Sequence, residues 1–188
     1  MGFIIGIIVI VVIVIILAGW IISTQRTLVR LDENINNAKS QIGVQMSSRF
    51  DALTALAELT QSYDAHEAQT LLQTINARRT GINAQSTAAE INAQEQAFTK
   101  ALGQINVLAE RYPDLKANQN YAKAMDSVNQ YENMVRNSRL IYNDSVTKLN
   151  RMIRMWPASM IAGRLGFDKR EYLEEDQNKT DMPSMKLH

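Results

Sequence analysis

Hydrophobic positions along the chain follow two regimes. From Phe3 to Ile22 they are continuous, 20 residues without a charge. From Val29 onward they recur every three or four residues. At about 1.5 Å per residue, the continuous run covers about 30 Å, the thickness of a bilayer's hydrocarbon core. A segment in lipid must satisfy its own amides, so this run predicts a membrane-spanning helix. Phe3, Ile4, Ile5, Ile8, Ile13 and Leu17 form its lipid-facing body, and Trp20 stands near one end, where an indole favours the headgroup zone. The run exceeds the apolar core of a signal peptide and lacks a positive leader, which favours an uncleaved anchor over residues 1–25.

The periodic region predicts four helices. The first continues from the anchor to about residue 62, with a stripe at Val29, Ile35, Ile42, Met46, Phe50, Leu53, Leu56, Ala57, Thr60 and Tyr63. The second covers about 66–85, with Leu71, Leu72, Ile75 and Ile82 inward, and Asp64 caps it. Thr87 and Glu90 make a capping-box pattern opening the third, whose stripe runs Ile91, Phe98, Leu102, Ile105, Leu108 and Tyr112. Pro113 stops it. The fourth starts at Asn118, an N-cap, and runs to about Met155, before Pro157. Four such stripes bury most economically around one seam. The fold class is therefore all-α: a transmembrane helix continuous with an elongated antiparallel four-helix bundle over 26–167, a short C-terminal helix, and a flexible polar tail over 168–188.

Direction gives the C-terminal segment its interest. Helix 1 leaves the membrane, so helix 4 returns to it. "SVTKLNRMIRMWPASMIAGRLGF" then lies near the bilayer with four cations and no acid. Lys148, Arg151, Arg154 and Arg164, mixed with Trp156, Met160, Ile161, Leu165 and Phe167, suit a headgroup boundary, where each cation contributes about 1 kcal/mol on an anionic leaflet. The same apolar residues also suit a cap on the open end of the bundle; both readings stand. Arg26 and Arg30 after the span place the bundle in the cytoplasm and the N-terminus outside.

Composition narrows the chemistry. The chain has no cysteine, so thiolate metal sites and disulfides are excluded. A net charge of +1 and pI near 8.0 do not suit a nucleic-acid surface. His66, between Asp64 and Glu67, is the one internal histidine, and neighbours on a helix point apart. No nucleotide-binding, metalloprotease or hydrolase motif occurs. No cofactor, metal or catalytic residue is expected. Glu132 and Arg139 flank the fourth stripe.

"RYPDLKANQNY" at 111–121, "YENMVRNSRLIYNDSVTKLN" at 131–150 and "WPASMIAGRLGFDKREYLEE" at 156–175 resemble the LemA family of bacterial membrane proteins. The resemblance departs at Trp156, where the family carries phenylalanine, and at Thr27-Leu28. It implies a membrane helix joined to an elongated helical bundle, and no established chemistry. Two functions follow as expectations: a self-associating protein that organises or shapes the membrane, with lipids and further copies as partners, or an adaptor that docks another membrane protein.

Overall fold

The computed structural model describes residues 1–79 and 81–173, and among these every regular element is a helix. They are α1 (Gly2–Thr60), α2 (Ala65–Arg78), α3 (Ala88–Arg111), α4 (Pro113–Lys116), α5 (Gln119–Arg154) and α6 (Ala158–Arg164). α1 is 59 residues, about 90 Å of unbroken helix. Its apolar N-terminal window has no buried residue, whereas the core helix of a soluble protein would be largely covered.

From Thr24 onward α1 acquires a buried face. Leu28, Ile35, Ile42, Arg49 and Leu56 recur at intervals of seven, and so do Tyr121, Val128, Val135, Tyr142 and Leu149 on α5. Two helices with a seven-residue repeat keep their seams in register over many turns. Leu28 to Met46 share one cluster with Val135 to Leu149, and Phe50 to Ala57 share a second with Tyr121 and Val128. α5 therefore runs opposite to α1. α2 turns back along α1, as Arg79 reaches Asp51 and Ser47. α3 follows α1's direction, since Ala88 and Ile91 join the first cluster and Phe98 to Ala109 the second.

The caps follow the sequence. Asp64 accepts the Glu67 N–H at 2.9 Å, Thr87 and Glu90 close a complete capping box, and Asn118 accepts the Asn120 N–H at 2.8 Å. α2 is shorter than its apolar spacing predicts, ending at Arg78 rather than near 85. Arg79 is extended, Ser86 Oγ accepts the Asn83 N–H, and Asn83 Oδ1 accepts the Gln85 N–H. Side chains that bond nearby amides compete with the helix. Ile82 nonetheless packs inward, its carbonyl so close to Gly43 that a Cβ there would collide with it. Pro113 ends α3 and opens the one-turn α4, whose Leu115 is buried. Val29, placed on the first stripe by spacing, is exposed, and Leu28 takes the inward position.

Two buried polar groups stand out. Arg49 is 1% exposed and pairs with both carboxylate oxygens of Glu95 at 3.1 and 2.7 Å, its guanidinium 3.8 Å from the Phe98 ring centroid. Burial, helped by Arg170, holds the Lys39 ammonium below its ordinary range, while Asp32 and Glu90 pull the other way. Burial likewise pushes the phenols of Tyr121 and Tyr142 up.

Candidate membrane-contact site

α5 ends where Met155 turns extended before the Trp156–Pro157 cis peptide. Pro157 caps α6, which closes on Gly166, whose φ of 74° is a left-handed conformation that glycine adopts without strain. Phe167 N–H bonds the Ala162 carbonyl at 3.0 Å and Gly166 N–H the Gly163 carbonyl at 3.4 Å, the paired bonds of a Schellman turn. Ala162 and Phe167 join the cluster that contains Leu28, which sets α6 against the lower part of α1. Leu28 lies six residues, or about 9 Å, past Ile22. Thr24, nearer still, is already buried.

The structure divides the sequence-selected residues into two sets. Ile161 and Phe167 turn toward the core and half-bury there. Trp156, Met160 and Leu165 remain exposed, at 78%, 68% and 44%, together with Arg151, Arg154 and Arg164. Met160 and Arg164 are one helical turn apart and share a face of α6. Lys148 is already engaged, its Nζ 2.6 Å from Asp144. Met155, 57% exposed, extends the apolar set and was missed by the sequence reading. A shallow basin of about 420 Å³ lies between Arg151, Arg154, Met155 and Tyr172. Along the span, Phe3, Ile4, Ile5, Ile8, Ile13, Leu17 and Trp20 are all exposed.

Elsewhere the chemistry is absorbed by structure. Asp64 caps α2 and accepts Tyr112 Oη at 3.4 Å, and Glu67 pairs with Arg111 at 2.6 Å, so the acids beside His66 are occupied. Arg139 reaches Asn92 on α3. Among the described residues no three His, Asp or Glu side chains converge as metal ligands. The tail expected to be flexible over 168–188 is ordered at its start: Arg170 and Leu173 are hydrogen-bonded to α5, with Leu173 buried. Residues 174–188 lie outside the described residues.

Among the described residues the regular structure is all helix, and one helix, α1, carries an exposed stretch long and apolar enough to cross a membrane; these define a class, a helical protein with a candidate membrane anchor. The LemA family's sequence pattern matches residues 38–187, and the chain belongs to that family. Its similar relatives include magnetosome proteins MamQ 2 and MamQ 1 of Paramagnetospirillum magneticum, each 24% identical over 174 residues, covering 79% of this chain and 64% of theirs. Magnetosome protein MamQ of Magnetospirillum gryphiswaldense is 31% identical over 78 residues, 42% of this chain and 29% of its own. The chain thus spans 64% of the length of the first two relatives.

Proposed function

We propose that the chain is a non-catalytic, single-pass membrane protein that associates with copies of itself and organises or shapes the bilayer. The observation that carries this reading is the height of the α6 region on α1. The cluster that holds α6 begins on α1 at Leu28, about 9 Å past the end of a wholly exposed apolar span, and apolar and cationic side chains of the α6 region stand exposed. The long stems of Arg151, Arg154 and Arg164, in this reading, carry their heads to the phosphates while Trp156 and Met160 enter the interface. In this reading α1, α2, α3 and α5 form an elongated antiparallel four-helix bundle on the cytoplasmic side of the inner membrane. Exposed Met134, Leu140 and Ile141 on α5 supply apolar area for contact between copies. The relatives' names, which tie them to the magnetosome, are consistent with work at a specialised cellular site.

Electron cryo-imaging of the full chain in liposomes tests the proposal. Ordered assemblies with altered bilayer curvature are expected; dispersed monomers in undeformed vesicles would overturn it. The adaptor reading has one observation in its favour, an open groove of about 680 Å³ between α2 and α3 lined by Leu71, Val107, Leu108 and Lys100. It expects a single heterologous protein on cross-linking, lost on Val107→Glu.

A further inference from the structure

Residues 168–173 lie along α5, held by side chains that read main chain. The Asn143 carboxamide donates to the Leu173 carbonyl and accepts the Leu173 N–H, both at 2.9 Å. Asn150 does the same to Arg170, again at 2.9 and 2.9 Å. Tyr142 Oη donates to the Glu171 carbonyl at 2.8 Å. A carboxamide offers the same donor and acceptor as a peptide group, so each asparagine acts as one rung of a strand partner.

The spacings are commensurate. Seven helical residues separate the asparagines, about 10.5 Å. Three residues separate Arg170 from Leu173, about 10 Å when the chain is extended. Two side chains add selectivity. Leu173 is 2% exposed, in the cluster of Tyr142 and Val146, and Arg170 Nη2 lies 2.8 Å from Asp32 on α1. The groove therefore accepts an extended Arg-x-x-Leu segment, fixing five main-chain groups and two side chains.

We propose that this groove is a peptide-binding site that the 168–173 segment of a second copy enters, so that neighbouring copies exchange straps. The inference rests on the self-association reading and names its contact. Every chain carries both site and ligand, the condition for swapping. The Schellman turn at Phe167 fixes the chain up to there, and the exposed Asp168 and Lys169 after it form the hinge. The three residue steps from Phe167 to Arg170 reach about 10 Å, so the strap crosses between copies whose α5 faces lie directly against each other. An exchanged strap makes the bonds that the chain's own strap makes, so effective concentration decides between them. Anchoring copies in one bilayer raises that concentration.

The chain has no cysteine, so introduced thiols are the only ones. Full-length Asp32→Cys copies and Arg170→Cys copies, mixed in liposomes and treated with a short bismaleimide, should join as pairs. Asn143→Ala with Asn150→Ala on the Asp32→Cys copy should cut that product by at least about tenfold. The same pair on the Arg170→Cys copy should not. Leu173→Asp on the Arg170→Cys copy should abolish the product without touching α5, which guards against a misfolded asparagine variant. Exchange is overturned if no inter-chain product forms while a chain with both cysteines joins within itself. It is equally overturned if loss is the same wherever the asparagine pair sits. Light scattering on the same samples separates the failures: oligomers without strap cross-links sink exchange alone, and monomers sink self-association as well.

Discussion

Arg49 and Glu95 make an unequal pair, and the inequality is measurable. Arg49 is 1% exposed and Glu95 17%. Removing the arginine leaves a carboxylate within reach of water. Removing the glutamate leaves a guanidinium sealed between α1 and α3 against the Phe98 ring. A buried ion pair broken on one side costs about 3–5 kcal/mol, most of it the uncompensated charge. Glu95→Ala should therefore destabilise by about 3–5 kcal/mol. Arg49→Met keeps the apolar stem and should cost only about 1–2 kcal/mol, roughly the net loss of the hydrogen bonds. With both changes together neither charge of the pair is left buried, and the double variant should lie close to Arg49→Met, a coupling of about 3–5 kcal/mol, the whole of the Glu95→Ala loss. Urea unfolding of the full chain in detergent, followed by helical circular dichroism, reads all four corners. Additive losses, or Glu95→Ala no worse than Arg49→Met, would refute the claim that the arginine is sealed.

Three further outcomes are expected. Gly43→Ala forces a methyl into the Ile82 carbonyl and should cost about 1–3 kcal/mol, while Gly103→Ala, with nothing within 4 Å of its added methyl, should be neutral or stabilising in the same melt. Arg151→Glu, Arg154→Glu and Arg164→Glu together should lower the affinity of a fragment starting at residue 23 for anionic vesicles by at least about 100-fold, in a sedimentation assay on protein shown to be helical. Adding Lys148→Glu should change that less than the others, because Lys148 is already paired with Asp144. Lys39→Met should stabilise by about 1 kcal/mol at neutral pH. The Lys39 ammonium is depressed in the folded state, so the unfolded chain binds more protons between that depressed value and 10.5. Stability from this group rises with pH through that window, and the advantage of Lys39→Met should shrink across it in pH-resolved melts.

Much of this fold is written in spacing. The apolar run and the caps at Asp64, Thr87 and Asn118 are local signals, and local chemistry decides them. α2 is the exception: its apolar spacing continues through Ile82, but Asn83 and Ser86 bond neighbouring amides and win. Arg49 occupies a core position because it falls on the seven-residue repeat between Ile42 and Leu56. A reading that selects apolar residues passes over it, and only the tertiary neighbour Glu95 explains it. The strap was hidden for the opposite reason. "DKREYL" is polar, and its order comes from Asn143 and Asn150, about twenty to thirty residues earlier. Those asparagines are seven apart, a signal present in the sequence but legible only once the strap is seen beside them. At the candidate membrane site, residue types indicated a boundary, but only packing separated Ile161 and Phe167 from Trp156, Met160 and Leu165.

The central claim is that the α6 region and the apolar span meet one lipid surface. The chain has two tryptophans, so Trp20→Phe leaves Trp156 as the sole reporter. In liposomes carrying bromine at graded acyl depths, Trp156 fluorescence should be quenched most by the shallowest bromines and little by those at the bilayer centre. Emission that stays water-like and unquenched at every depth would contradict the account.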